Sequence, residues 1–502
     1  MNLDKELFNH FKLASFRPGQ KEIIIDLLNN HDVLAMLPTG SGKSICYQLP
    51  AFLLEGITIV VSPLLSLMED QVQQLKSQGL KQVVAINSFL TPWERDRALE
   101  QLAKQKIVYL SPEILQSKSV MKRLSELTIS LFVIDEAHCI SQWGHEFRTD
   151  YLKLNNVRKK LGQPPCLAIT ATATEEVKRD IIDKLNLRDF KAHIYSIDRP
   201  NIAFSVCKSA NSSSKKIAEL VALVQDLQGP GLIYASTRKW TEKLATVLKS
   251  KGVNNVSYYH GGMENEDRLL IQQQFINDEL SLICCTSAFG MGINKANIRY
   301  VIHFHAPLQM ESYLQEIGRC GRDGKESIAI TLYNEDESPL QVSLLTKDLP
   351  NEKQLNEVLY YLQLQEQGIR LNELRLIQET GITEIMWRFI RFHLEEQGRI
   401  IDQKYRITEV NQERSQQSIQ KKINERIDYK LKKLTQFQAW LKQAESCRRE
   451  LVLAQFDERL MKKSEKCCDK CGINIEDYYD KQPSVNKPLI RTWQGELKSL
   501  FE

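Results

Sequence analysis

Three short stretches of this chain carry residue types whose spacing suits phosphate chemistry. In Pro38-Thr39-Gly40-Ser41-Gly42-Lys43-Ser44 the two glycines free the backbone for a turn whose successive N–H groups face a phosphate, with Thr39, Gly40, Ser41 and Gly42 as the cradle. Lys43 is placed to reach the β- and γ-phosphates of ATP and the Ser44 hydroxyl to ligate Mg2+, although the general pattern wants glycine where Leu37 stands. In Val133-Ile134-Asp135-Glu136-Ala137-His138 an apolar run ends in two acids, of which Asp135 can hold Mg2+ and Glu136 can activate a water. Between Gln315 and Gly324, Arg319 and Arg322 stand three apart among glycines and suit a helix end that points guanidinium groups across a cleft at a γ-phosphate. A cluster of another kind lies further on. Four of the eleven cysteines fall between Cys447 and Cys471, and Cys468 and Cys471 have the spacing of a chelating knuckle. In a reducing compartment such a cluster favours a metal over disulfides.

These stretches need elements to hold them. From Val33 to about Tyr333, short runs rich in Val, Ile and Leu alternate with longer amphipathic stretches, the pattern of parallel strands covered on both faces by helices. The runs form two series with a polar seam around Arg199 to Lys216, which predicts two α/β units in tandem. After Tyr333 the pattern turns helical. Three amphipathic stretches and a short alternating segment ending near Val410 read as a winged helix, and Ile423, Ile427, Leu431, Leu434 and Leu441 mark a long helix leading to Cys447. On the third of the shorter helices Ile385, Met386, Phe389 and Ile390 share an apolar face. Arg388 and Arg391, opposite, either contact duplex phosphates or form a solvated face with an Arg391–Glu395 pair; Tyr405 in the wing is a candidate wedge between base pairs. The expected division is 1–205 and 206–343 for two lobes, 344–410 for the winged-helix-like segment, 411–475 for the long helix and cysteine module, and 476–502 for a tail.

The 502 residues hold 67 basic against 63 acidic side chains, a net +4 that excludes nucleic-acid binding by bulk charge. Local patches must serve instead, and between Asn411 and Lys470 there are 15 basic residues against 9 acidic. The longest apolar run, Ile57 to Met68, is broken by Ser62, Pro63 and Ser66, so no membrane span is expected. The N-terminal residues carry acids and no apolar h-region, which predicts a cytoplasmic protein, in the bacterial cytoplasm or nucleoid.

Taken in order and spacing, the motifs resemble the RecQ family of superfamily two DNA helicases, densely over roughly residues 8 to 340 and more loosely around Cys447. The resemblance implies two tandem RecA-like parallel-sheet lobes, then the winged-helix-like segment and a helical zinc-binding module. Phe16-Arg17-Pro18-Gly19-Gln20 is similar to the family's adenine-reading motif, with Arg17 and Gln20 at the nucleotide. Ser62 and Ser111 stand in segments like those that contact the strand in the first lobe, and Thr170-Ala171-Thr172-Ala173 resembles the coupling motif. Arg238 and Thr286 fall in the corresponding segments of the second lobe, Gln315 and Arg319 in the last motif, and Arg322 takes the place of the arginine finger; Cys320 replaces the usual Ala, a change expected to be harmless. Ser141 to Arg148 resembles the aromatic-rich loop that couples DNA binding to hydrolysis, in which Trp143 and Phe147 stack on bases while His145 and Arg148 add polar contacts. The cysteines resemble the family's zinc module, with Cys447, Cys467, Cys468 and Cys471 as ligands. The family places its second cysteine several residues earlier, an offset at which Glu465 stands here, so the fourth ligand is open between Cys467 and another residue; adjacent cysteines both ligate only with a strained turn.

The function so implied is ATP-dependent 3′→5′ translocation on single-stranded DNA and unwinding of branched duplex DNA in recombination, repair or replication. The expected protein partner is a single-strand-binding protein and the expected state a monomer. The alternatives are an ATP-driven translocase, an RNA helicase, or a non-hydrolysing clamp. The aromatic loop favours DNA, and intact Lys43, Asp135, Glu136, Gln315, Arg319 and Arg322 argue against the clamp.

Overall fold

The computed structural model describes residues 2–479 apart from 64, 88–89, 142–147, 210, 290–294, 367, 402–403 and 407–411. The two series of apolar runs form two separate sheets. The first contains β1 (Val33–Met36), β2 (Ile57–Val61), β3 (Val83–Ile86), β4 (Ile107–Leu110), β5 (Ile129–Ile134), β6 (Cys166–Thr170) and β7 (Lys191–Ile194) in the order β3-β4-β2-β5-β6-β1-β7. The second contains β8 (Ile202–Lys208), β9 (Gly231–Tyr234), β10 (Val256–Tyr259), β11 (Leu282–Cys285), β12 (Tyr300–His303) and β13 (Ser327–Tyr333) in the order β10-β11-β9-β12-β13-β8. Both sheets are parallel throughout. Every residue of β2 and of β13 is buried, because helices cover both faces, and this is why their sequences are continuous apolar runs.

The apolar-run criterion misses β7 and β8. β7 is a largely exposed edge strand, so it needs few apolar residues. β8 lies in the polar seam yet pairs along its whole length with β13, so residues 202–205, expected with the first lobe, belong to the second sheet.

In a parallel sheet all C-terminal strand ends share one edge. Along that edge the turns after β2, β5, β6 and β1 stand side by side, bringing Ser62, Asp135, Thr170 and the glycine-rich turn into one row, the position open α/β sheets use for ligands.

Beyond β13, helices Glu352–Gln363, Glu373–Thr380 and Glu384–Glu396 and the antiparallel pair β14 (Ile400–Ile401) and β15 (Lys404–Tyr405) pack around Leu359, Leu376, Trp387 and Ile390, as a winged-helix-like segment requires. Two details differ from expectation. Ile385 is 58% exposed, because the buried face runs through Met386, Trp387, Phe389, Ile390 and Leu394; the Trp387 indole donates to Glu373 Oε2 at 2.9 Å. Tyr405 is buried, its hydroxyl accepting from Arg399 Nη1, so it braces the hairpin from within and offers no wedge to a duplex. The 31-residue helix Gln412–Lys442 is a strut between units: Ile419 and Ile423 enter the core of this segment, while Phe437 and Trp440 pack against Tyr313 of the second lobe. Among the described residues no helix is long and apolar enough to cross a membrane.

Candidate functional site

The glycine-rich turn joins β1 to the helix Ile45–Leu53, and both of its glycines are left-handed, Gly40 at φ +86° and Gly42 at φ +79°. The turn is gripped from outside. Gln20 Nε2 donates to the carbonyls of Ser41 and Gly42 at 3.0 Å each, the Arg17 guanidinium donates to the carbonyl of Gly40, and Arg17 N donates to Gln20 Oε1 at 2.9 Å. A Cβ on Gly42 would stand 2.8 Å from Gln20 Nε2, so the grip requires glycine there. The two residues expected at the nucleotide are therefore also what shapes the phosphate cradle.

Two strands away, Glu136 adopts a left-handed backbone at φ +48°, a cost for a non-glycine residue that turns its carboxylate back over the site, 3.9 Å from Lys43 Nζ. Asp135 beside it is buried, and burial together with the Glu136 charge pushes its carboxyl up to about 7 against the pull of Lys43. Two acids held this close in a low-dielectric site suit a divalent cation. His138 Nδ1 lies 2.9 Å from Thr170 Oγ1, which in turn donates to Thr172 O, so the acidic turn is wired to the segment expected to couple hydrolysis to movement.

The second lobe closes the site. Gln315, Arg319 and Arg322, on and after the helix Met310–Ile317, line the same cleft of about 480 Å³ as Arg17, Gln20, Thr39, Gly40, Gly42, Lys43, Ser44, Asp135 and Glu136. That volume falls in the ordinary range for a ligand the size of a nucleotide. The lobes touch, since a Cβ on Gly318 would stand 2.7 Å from Thr39 Cβ. Arg322 is pushed down to about 9 by burial and by the neighbouring charges of Arg319 and Arg199, so an arriving phosphate would relieve the repulsion. Cys320 is buried, with its thiol pushed up to about 12 by desolvation, and packs as a small neutral side chain. Arg199 and Tyr151, whose hydroxyl donates to Asp135 O at 3.0 Å, are further residues of this site that the sequence reading does not single out; neither lies in a motif.

The expected strand-contacting residues divide. Trp143, His145 and Phe147 lie outside the described residues. Arg148 is half-buried, 3.8 Å from Glu113. Ser62 and Ser111 are buried, and Ser111 Oγ accepts from Ile114 N, so neither hydroxyl faces solvent. In the second lobe Arg238 is exposed and lies over Gly262, while Thr286 lines a second cleft of about 330 Å³ with Ser236, Lys347 and Lys430. Arg388 and Arg391 are engaged by carboxylates: Arg388 by Glu113 at 2.7 Å and by Glu384, Arg391 by Glu373 at 2.8 Å and Glu395 at 2.7 Å. Of the two readings open for these arginines, the structure has the ion pairs.

The four cysteines converge, their Sγ atoms lying within 4.8 Å of one another. Cys447 and Cys467 approach to 3.6 Å and Cys468 and Cys471 to 3.4 Å, spacings that fit the edges of a thiolate tetrahedron around Zn2+. The adjacent pair needs no strained turn. Cys468 is extended at φ −160° and its segment bridges to Phe204 of β8, while the left-handed residue is Gly472.

Comparison with known proteins agrees with this geometry. The family described as DEAD/DEAH box helicase matches residues 17–180, and the helicase conserved C-terminal domain matches residues 215–324. The chain is 43% identical to the probable ATP-dependent DNA helicase RecS of Bacillus subtilis over 99% of its own length and 98% of that protein's. It belongs to the RecQ family of superfamily two helicases. The ATP-dependent DNA helicase RecQ of Haemophilus influenzae is 40% identical over 69% of this chain, which spans 56% of that relative. Among solved structures, the DEAD-box helicase Mss116 bound to single-stranded RNA aligns with a TM-score of 0.57 at 17% identity, covering 91% of this chain and 96% of that one, a likeness of fold alone. As a RecQ-family member the protein is an ATP-dependent DNA helicase.

Proposed function

We propose that the interlobe cleft hydrolyses ATP with the residues that line it in the roles their chemistry suggests, and that hydrolysis drives 3′→5′ movement on single-stranded DNA. The supporting observation is the cleft itself, where Lys43, Asp135 and Glu136 of one lobe face Gln315, Arg319 and Arg322 of the other. The backbone N–H groups of 39–42 and the Lys43 ammonium bind the phosphates, and Arg17 and Gln20 hold the turn that presents them. Ser44 and Asp135 would hold Mg2+, which supplies charge neutralisation on the phosphate oxygens. Glu136 orients a water and takes its proton as the water oxygen bonds to the γ-phosphorus and the bond to the bridging oxygen of ADP breaks. Arg322, with Arg319, balances the charge on the departing phosphoryl group, and Gln315 orients beside it.

Arg238, Thr286 and the cleft that Thr286 lines on lobe two, together with Trp143, His145, Phe147 and Arg148 on lobe one, form the strand-binding face in this reading, and branched duplex DNA is the substrate in recombination, repair or replication. Cys447, Cys467, Cys468 and Cys471 would hold Zn2+, which would cross-link the module where the segment of Cys468 bridges to β8. A strand-displacement assay on matched forked DNA and RNA substrates tests the reading: unwinding of the DNA fork from a 3′ single-stranded arm, lost in Lys43→Ala, is the expected result. Equal activity on the RNA fork would turn the assignment to an RNA helicase. Stoichiometric zinc in the purified protein, lost in Cys468→Ser, is expected alongside.

A further inference from the structure

The linker between the sheets, from the end of β7 at Ile194 to the start of β8 at Ile202, carries an arginine that no motif explains. Arg199 Nη1 donates to the carbonyl of Thr39 in the phosphate cradle at 2.7 Å and to that of Gly318 at 3.3 Å; Nη2 donates to Cys320 O at 3.1 Å and Gly321 O at 2.7 Å. All four acceptors are main-chain carbonyls, one in the cradle and three in the turn that bears Arg319 and Arg322. A planar fork bonded to backbone on both sides fixes the spacing of the two strips, and where Gly318 meets Thr39 that spacing is already at van der Waals contact.

The linker is held in turn from behind. Arg449, on the helix Arg448–Ala454 that follows Cys447, is 1% exposed. It donates to the carbonyls of Arg199, at 3.0 Å, and of Ile202, pairs with Asp198 and lies 4.6 Å over the ring of Phe204. Glu458 of the same module accepts from Ile197 N at 3.1 Å. A water-sized cavity of about 20 Å³ at this junction is lined by Thr39, Thr172, Arg199, Gly318 and Arg449, so cradle, coupling segment, linker, arginine turn and cysteine module meet at one point.

We propose that Arg199 is a positioning residue for ATP hydrolysis, setting the distance between the phosphate cradle and the arginine-bearing turn, and that Arg449 holds it there, which makes hydrolysis responsive to the seating of the cysteine module. The inference rests on the reading of the cleft given above.

Steady-state ATPase with single-stranded DNA, paired with titration of a fluorescent ATP analogue, separates positioning from binding. Arg199→Ala is expected to lower kcat by about 10- to 100-fold, as a misplacement on the ångström scale does, while the analogue's Kd moves less than about threefold. Arg199→Lys keeps the charge but cannot span four carbonyls, so it is expected to stay within a few-fold of the Ala variant. Arg449→Ala is expected to show the same split, with the double variant no slower than Arg199→Ala alone, because both act on one contact. Should Arg449→Ala lose its melting transition, Asp198→Asn, which loosens the same grip from the linker side, carries the same comparison. An unchanged kcat in Arg199→Ala, full rescue by Lys, or multiplicative losses in the double variant would each overturn the proposal. Lys43→Ala separates the two failures: persistent ATPase there removes the reading of the cleft, whereas its loss beside a normal Arg199→Ala removes only the positioning role.

Discussion

Arg319 and Arg322 in the second lobe and Arg388 and Arg391 in the winged-helix-like segment are two pairs of arginines three residues apart, and their surroundings could hardly differ more. In the cleft, Arg322 is buried among like charges, Arg319 and Arg199, and is pushed down to about 9. In the segment, burial also opposes the charge of Arg388 and Arg391, yet Glu113 and Glu384 raise the one and Glu373 and Glu395 the other. The acids repeat the pattern. Asp135 in the cleft is pushed up to about 7 by burial and by Glu136, whereas Glu395, against the burial that would raise it, is held low by Lys153 and Arg391. Charges shifted against their ordinary range by burial and like neighbours mark a candidate ligand site; charges matched by carboxylates act as fasteners, here joining the segment to the first lobe through Arg388–Glu113 and Lys153–Glu395.

The largest effect should come from the cleft. Arg322→Ala is expected to reduce DNA-stimulated kcat by about 10³-fold, the usual worth of an arginine finger, with nucleotide affinity little changed. A loss below tenfold in ATPase assays would put Arg322 with the fasteners.

A smaller effect, of opposite sign for stability, is expected at Asp135. Its folded value near 7 lies above its ordinary 3.8, so the folded state holds the extra proton and stability falls as pH rises between those values. Asp135→Asn escapes that loss. The variant should melt about 2–4 °C above the nucleotide-free parent at pH 8, with the gap narrowing toward pH 5. An equal gap at both pH values would mean that the carboxylate is not strained in the fold.

The smallest effect belongs to the segment. The Arg388 and Glu113 side chains are 39% and 27% exposed, so Arg388→Ala should cost only about 0.5–1 kcal/mol in urea unfolding, less at high salt, with ATPase within about twofold of the parent. Unchanged stability with a large loss of duplex affinity would return Arg388 to phosphate contact and erase the contrast.

The glycine-rich turn, the adjacent acids, the arginine turn and the Cys468–Cys471 knuckle stand out in the chain because each is a short spacing of residue types, whereas the approach of Cys447 to Cys467 and of the two lobes belongs to the fold. The strands are legible where helices bury both faces and fail to be where, as in β7, an exposed edge needs no apolar run. Ile385 and Tyr405 mislead for a related reason. A helical wheel locates a face only to within a residue, and the hydroxyl of Tyr405 finds its partner, Arg399, only when the hairpin is closed.

The sequence by itself determined which groups can bind phosphate, activate water or hold a metal, since those properties belong to residue types and short spacings. Only the tertiary structure decided which arginines meet carboxylates and which meet one another, and that Arg199, in no motif, and Arg449, beside the first cysteine, tie the cradle to the cysteine module. The physical reason is that a charge takes its character from the groups brought within a few ångströms of it, and in this molecule those groups come from distant parts of the chain.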